Sequence, residues 1–201
     1  TGSGKTEVYM HVIKKVIDLG REVIVLVPEI SLTPQLINNF RERFGDNIAV
    51  LHSGLSDGEK YDEWRKIERQ EVKIVIGARS AIFAPFTNLG LIVMDEEHVS
   101  TYKQENNPKY STHDMAIFRA KYNNIPVIFG SATPSIESYT RAINNVYKLI
   151  ELKKRINNSL PNVEIIDMKD EYKHGNKIIS SSLKEKLESI IEKKEQAIIL
   201  L

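Results

Sequence analysis

Residues 1–6 are Thr-Gly-Ser-Gly-Lys-Thr, and apolar residues at helical spacing follow them directly, at positions 8, 12, 13, 16 and 17. The six residues match the end of the phosphate-loop pattern G-x-x-x-x-G-K-[ST], whose first two positions lie upstream of residue 1. Glycines let the backbone amides turn toward a phosphate group, and the helix N-terminus adds its positive end. The alternative is a Gly/Ser turn that precedes a helix by chance. The predicted nucleotide-binding residues are Gly2, Ser3, Gly4, Lys5 and Thr6, with Lys5 on the β- and γ-phosphates and the Thr6 hydroxyl on magnesium.

Short apolar runs alternate with helical patterns along the rest of the chain. This alternation predicts an α/β fold, with a mostly parallel sheet and helices on both of its faces. Thr33 with Pro34, and Ser56 with Glu59, are predicted helix starts. The predicted strands are 22–27, 47–51, 72–76, 91–94 and 126–129, and the predicted helices are 4–19, 34–44, one that begins after Ser56, 111–121 and 135–144.

Polar segments follow each predicted strand at its carboxyl end, where open parallel sheets carry their chemistry. The segment after 91–94 is Asp95-Glu96-Glu97-His98. There Asp95 can hold magnesium through a bound water, Glu96 can act as the general base for an attacking water, and His98 can sense the γ-phosphate. An acidic turn without a catalytic role is the alternative. Together with the phosphate loop, this segment predicts ATP hydrolysis.

A third segment, Gly130-Ser131-Ala132-Thr133-Pro134, follows the strand at 126–129. Its hydroxyls, on Ser131 and Thr133, are predicted to bond the carboxylates of the acidic loop and so to couple the nucleotide state to the opposite face. A simple turn of small residues is the alternative. The ordered set of three motifs resembles that of superfamily-two helicases, which implies a P-loop lobe of the RecA-like type.

Four longer segments narrow this resemblance: 27–35 (VPEISLTPQ), 51–56 (LHSGLS), 77–86 (GARSAIFAPF) and 100–110 (STYKQENNPKY). Over essentially the whole chain they resemble the PriA family of bacterial replication-restart helicases. The resemblance implies an ATP-dependent 3′-to-5′ DNA helicase that assembles a primosome at stalled forks. The implied partners are single-stranded and forked DNA, the primosome and replicative-helicase loading proteins, and single-strand-binding protein. No association with a membrane is expected.

The segment 102–110 matches a loop thought to couple single-stranded DNA to hydrolysis in that family. Tyr102 and Tyr110 could stack on bases, and Lys103 and Lys109 could meet phosphates. Alternatively, the segment is a polar loop whose tyrosines pack on the domain. Arg79 and Ser80 could touch the DNA backbone or only cap a turn.

The pattern of apolar runs and helices changes after residue 146, which predicts two parts. Residues 1–146 are expected to be a first helicase lobe truncated at its N-terminus, and residues 147–201 a connector and the start of a second lobe. Strands are expected at 147–152, 163–168 and 197–201, with a loop at 157–161. Ser182 with Glu185 is expected to cap a helix that runs to about residue 194. The second lobe's arginines are expected to lie outside these residues, and the isolated chain is therefore expected to hydrolyse ATP poorly.

Composition limits the remaining possibilities. The 201 residues contain 28 basic and 27 acidic side chains, and a net charge of +1 argues against a histone-like coat for nucleic acid. There is no cysteine, so a disulfide scaffold is excluded and the zinc of the full-length family is not expected in this chain. The apolar runs are shorter than the ~20 residues that span a bilayer. A cytoplasmic location is expected.

Two other functions fit parts of this pattern. A double-strand DNA translocase, such as the motor of a restriction enzyme, would share the ATP chemistry without separating strands. A non-catalytic docking module would not need the lysine of the phosphate loop or the acidic pair.

Overall fold

The protein, described from a computed structural model, has defined positions for residues 4–152, 162–173 and 178–200. It divides into two compact units, residues 1–157 and 158–201. The first unit contains the sheet and the predicted motifs. The assignment of residues 1–146 and 147–201 to two helicase lobes stays a prediction.

Five strands form one parallel sheet in the first unit, and they are β1 (Glu22–Leu26), β2 (Ile48–Leu51), β3 (Ile74–Gly77), β4 (Leu89–Met94) and β7 (Val127–Phe129). Their order across the sheet is β2-β3-β1-β4-β7. Their side chains are mostly β-branched and buried on both faces, as a sheet covered by helices requires. In the central strand β1, Val23 and Val25 face one hydrophobic cluster, whereas Ile24 and Leu26 face the other. The predicted α/β fold is therefore confirmed.

Five helices accompany the sheet, and four of their predicted starts are confirmed by N-cap residues. The Thr33 hydroxyl accepts from the Leu36 N–H, with Pro34 in the first turn. Ser56 and Glu59 form a reciprocal capping box, which satisfies two backbone N–H groups at the start of the helix. Ser111 and Ser135 are N-caps, in line with the predicted starts. The helices are α1 (Lys5–Asp18), α2 (Pro34–Phe44), α3 (Asp57–Glu68), α4 (Thr112–Asn123) and α5 (Ile136–Ile143).

Two short strands, β5 (Lys103–Gln104) and β6 (Tyr110–Ser111), form an antiparallel hairpin apart from the main sheet. The hairpin lies between β4 and α4 in the chain, and a 3-10 turn at Ser100–Tyr102 leads into it. The segment predicted to contact DNA is therefore a structured hairpin.

The second unit contains α6 (Met168–Lys173) and α7 (Ser181–Glu192). The strands predicted at 147–152, 163–168 and 197–201 are wrong over their described residues, because none of those residues pairs with another strand there, and a strand depends on such pairing. The loop predicted at 157–161 lies outside the described residues. Ser180, and not Ser182, caps α7 by accepting from the Leu183 N–H. No helix in the described part of the chain is both long and apolar enough to cross a membrane.

Candidate functional site

The acidic loop and the small-residue turn meet at the carboxyl edge of the sheet. Asp95 follows β4, and its N–H donates to the Leu26 carbonyl at the end of β1 (2.9 Å). The Gly130 N–H donates to the Met94 carbonyl (2.9 Å), and the Gly130 carbonyl accepts from the Glu97 N–H (3.1 Å). Because neighbouring parallel strands end at the same edge, segments that lie 35 residues apart are held side by side.

Lys5 joins the phosphate loop to the acidic loop. Its ammonium donates to Glu96 Oε1 at 2.7 Å and lies 3.7 Å from Asp95 Oδ1. The side chain of Lys5 is 16% exposed, that of Asp95 21% and that of Glu96 25%. A ligand can therefore reach the cluster from solvent. Glu96 has a left-handed backbone (φ 46°), which is uncommon outside glycine and concentrates at functional sites. The structure thus brings together three of the predicted catalytic residues.

The phosphate loop is described only from Gly4 onward, and Gly2 and Ser3 lie outside the described residues. Gly4 is the N-cap of α1 with a left-handed φ of 81°, a conformation that favours glycine. Thr6 is half-buried in the first turn of α1. The Thr6 hydroxyl and the Asp95 carboxylate are the predicted set of magnesium ligands, and both are oxygen donors. This set fits magnesium, because that ion usually keeps several waters and takes phosphate oxygens as further ligands.

Tyr9 is a member of the site that sequence reasoning missed. Its ring is buried in α1, and its hydroxyl donates to Asp95 Oδ1 at 3.0 Å. Burial, followed by the negative charge of Asp95, raises the pKa of Tyr9 above its usual value, so the hydroxyl stays protonated. A side chain at Gly130 would collide with this hydroxyl, since a Cβ built there lies 1.5 Å from the Tyr9 oxygen. In the sequence, Tyr9 is simply one more residue of an apolar helix face.

Tyr102 also contacts the acidic loop, and this contradicts its predicted stacking on DNA bases. The side chain is 3% exposed, and its hydroxyl donates to the Asp95 carbonyl at 2.8 Å. Burial, with smaller contributions from Asp95 and Glu96, raises the pKa of Tyr102 above its usual value. The tyrosine therefore packs on the domain, because a partner for its hydroxyl lies inside the fold and the ring fills space in the core.

His98 lies between the acidic loop and the turn after β7. Its Nδ1 is 2.7 Å from the Ser131 hydroxyl and 3.6 Å from Glu96 Oε2, and its Nε2 is 3.4 Å from the Thr133 hydroxyl. The prediction that Ser131 and Thr133 bond the carboxylates is therefore wrong. Their hydroxyls contact the imidazole, which occupies the space between the turn and Glu96. The predicted connection between the two loops exists, but it runs through His98.

Arg79 contacts the hairpin that follows the acidic loop. Its guanidinium donates to the carbonyls of Thr101 (3.3 Å) and Lys103 (3.0 Å) and lies 5.9 Å from the centre of the Tyr110 ring. These contacts hold the hairpin to the short 3-10 helix Arg79–Phe83, which follows β3. The predicted role of Arg79 on the DNA backbone stays a prediction, and the guanidinium also has a structural role.

The hairpin and the 3-10 helix Arg79–Phe83 carry the other residues predicted to contact DNA. Ser80, Lys103 and Lys109 are exposed, and Tyr110 is half-buried. The Tyr110 ring meets Phe83 edge to face, with ring centres 5.1 Å apart. Phe83 is exposed and was not among the predicted residues. An open polar cleft lies next to this surface, lined by Arg79, Ser100, Thr101, Lys103, Gln104, Glu105 and Asn106.

Comparison with known proteins defines the class to which this fold and site belong. Residues 1–142 match the family described as DEAD/DEAH box helicase, and the chain belongs to this family. Membership implies the use of ATP together with magnesium. The chain has 14% identity and a TM-score of 0.51 to the structure of Dbp5 from S. cerevisiae bound to RNA and ADP BeF3, covering 72% of this chain and 36% of that one. At this identity the likeness concerns the fold alone.

More specific similarity is to replication restart proteins. The chain is 58% identical over 203 residues to the replication restart protein PriA of Bacillus subtilis (strain 168), covering 100% of this chain and 25% of that protein. It is 48% identical over 208 residues to the PriA protein of Synechocystis, with 100% and 25% covered. The resemblance predicted from the motifs is confirmed. The chain spans about a quarter of the length of these curated relatives.

Proposed function

We propose that this chain carries the ATP-hydrolysing site of a DNA helicase that acts in bacterial replication restart. The contact of Lys5 with Glu96 and Asp95 is the observation that carries the proposal. It joins a phosphate-binding lysine to two carboxylates at the end of the phosphate loop, where a nucleotide's terminal phosphate would lie. The similarity to the PriA proteins supports replication restart as the process.

Lys5 and Glu96 would exchange partners when ATP binds. The γ-phosphate takes the ammonium of Lys5, and Glu96 is then released from its ion pair. The freed carboxylate accepts a proton from the water that attacks the γ-phosphorus, and the bond to ADP breaks. Thr6 and Asp95 would hold magnesium, which would supply positive charge against the charge that develops on the phosphates. Tyr9 would fix the orientation of the Asp95 carboxylate by donating to its Oδ1.

His98, Ser131 and Thr133 would pass the state of the nucleotide to the rest of the lobe. His98 lies near Glu96 on one side and contacts both hydroxyls on the other. A change in the partner of Glu96 therefore alters the charge next to the imidazole, and the hydroxyls of the turn respond to its position. This arrangement supports a coupling role for the turn.

The hairpin and the 3-10 helix Arg79–Phe83 would form the contact with single-stranded DNA. Lys103 and Lys109 offer ammonium groups for phosphates, Ser80 offers a hydroxyl, and the aromatic pair of Tyr110 and Phe83 offers a surface for bases. Forked DNA, 3′-to-5′ movement, primosome and helicase-loading proteins, and single-strand-binding protein as partners are parts of the proposal that rest on the resemblance. So are the second lobe's arginines, the zinc of the longer protein and a cytoplasmic location.

Two substitutions in the full-length protein test the proposal. Lys5→Ala should weaken ATP binding and hydrolysis, and Glu96→Gln should abolish turnover while ATP still binds, because the amide cannot accept the proton. Both variants should lose unwinding of a forked DNA substrate. A wild type that moves on duplex DNA without unwinding forks would favour a translocase, and variants that retain full function would favour a docking module.

A further inference from the structure

The acidic loop contains a second glutamate whose surroundings differ from those of Glu96. Glu97 is 7% exposed and turns away from Lys5 toward the start of α5. In the described part of the chain it forms no ion pair with lysine or arginine. Burying a carboxylate without a counter-charge is costly unless hydrogen-bond donors replace its water.

Three donors supply that replacement. The Ser135 N–H donates to Oε1 (2.7 Å), and the hydroxyls of Ser135 and Ser138 donate to Oε2 (3.0 and 2.9 Å). Ser135 is the N-cap of α5, and its hydroxyl also accepts from the Ser138 N–H (3.3 Å). The carboxylate thus binds the first turn of α5 through both a backbone and a side-chain group.

The backbone of Glu97 holds the other end of the same segment. Its N–H donates to the Gly130 carbonyl at 3.1 Å, whereas its carboxylate holds Ser135. One residue therefore anchors both ends of the 130–135 turn. Ser131 and Thr133, the two residues that contact His98, lie between these anchors.

We propose that Glu97 is a positioning residue for ATP hydrolysis, which keeps the 130–135 turn against His98 and thereby keeps His98 beside Glu96. The inference rests on the proposed function, since it concerns the same site. Glu97 itself does not contact Lys5, so its loss should alter the turnover rate far more than the binding of ATP.

The test uses the full-length protein and steady-state ATP hydrolysis with saturating single-stranded DNA. We expect Glu97→Ala to lower kcat by roughly tenfold or more, because small displacements of groups near the reacting atoms have large effects. The KM for ATP should change by no more than about twofold, since a group needed mainly in the transition state affects kcat. Glu97→Gln retains one oxygen for the Ser135 N–H and should restore part of the lost kcat.

Glu63→Ala is the matched control. The part-buried carboxylate of Glu63 also accepts a hydrogen bond from a backbone N–H, that of Val50, at 2.7 Å. Glu63 belongs to α3 and not to the site. Its loss should lower the melting temperature and leave kcat unchanged. If Glu97→Ala fails to fold, Ser138→Ala removes only one of the three donors and should lower kcat by a smaller factor, again with KM preserved.

The outcomes separate this inference from the proposed function. Folded Glu97→Ala and Ser138→Ala proteins that keep the wild-type kcat would overturn the positioning role while leaving ATP hydrolysis established. A rise in KM at constant kcat, or a Glu97→Gln protein no more active than Glu97→Ala, would also overturn it. A wild type with no more ATPase activity than Lys5→Ala would overturn both proposals.

Discussion

Replacing Tyr9 by phenylalanine isolates one hydrogen bond at the centre of the site. The substitution removes the donor to Asp95 Oδ1 and keeps the ring, which is buried against the core. The packing of α1 should therefore be preserved. Asp95 loses the contact that fixes its carboxylate, so both the stability of the fold and the use of magnesium should respond.

The structure allows the size of the effect on stability to be worked out. A hydrogen bond to a charged acceptor contributes about 1.5–3 kcal/mol to stability. Asp95 is 21% exposed, so water can replace the missing donor in part, and the lower end of that range applies. The missing hydroxyl leaves little empty space. We expect Tyr9→Phe to lower the free energy of unfolding by about 1–2 kcal/mol.

Urea unfolding of the 201-residue chain measures this change, and Trp64, the one tryptophan in the sequence, is a convenient fluorescent reporter. Tyr122→Phe is the matched control, because Tyr122 is 83% exposed and its loss should change stability by less than about 0.5 kcal/mol. In the full-length protein, Tyr9→Phe should also raise the magnesium concentration needed for half-maximal ATPase rate. Equal stability of the two variants, together with an unchanged magnesium requirement, would refute the reasoning.

Three further predictions concern the same interior. Gly130→Ala should destabilise the chain by about 1–3 kcal/mol in urea unfolding, because its Cβ would overlap the Tyr9 hydroxyl. Because the pKa values of Tyr9 and Tyr102 are raised in the folded chain, the unfolded chain loses these protons first as pH rises. The free energy of unfolding should therefore fall above about pH 10. Phenylalanine at both positions should flatten that fall in a pH series of unfolding curves. Burial lowers the pKa of His113 in the folded chain, so the imidazole of the unfolded chain binds a proton first as pH falls. The free energy of unfolding should therefore decrease below about pH 6.5. His113→Phe preserves the stacking on Phe129 and should reduce that decrease in unfolding curves.

Local sequence signals were sufficient for much of the fold. The β-branched runs predicted all five strands of the sheet, because a strand buried on both faces needs apolar side chains at every position. Ser56 with Glu59 predicted the start of α3, because a capping box involves only neighbouring residues. The same signals failed beyond residue 146, where apolar segments resembled strands but no partner strand pairs with them in the described residues.

The candidate site was predictable only where its residues belong to contiguous motifs. Lys5, Asp95 and Glu96 are recognisable from spacing alone, and the structure brings them together as expected. Tyr9 and Glu97 were missed, since their partners lie 86 and 38 residues away and no local pattern marks such a pair.

The sequence by itself determined the type of this protein: an α/β lobe with a phosphate loop and an acidic loop at the carboxyl ends of its strands. These features depend on periodicity and on short motifs, which neighbouring residues define. Only the tertiary structure decided that Tyr102 faces Asp95 and not DNA, and that His98 separates Ser131 and Thr133 from the carboxylates. These contacts depend on which side chains come together in a small buried volume after the strands have assembled. The spacing of residues along the chain does not specify those contacts.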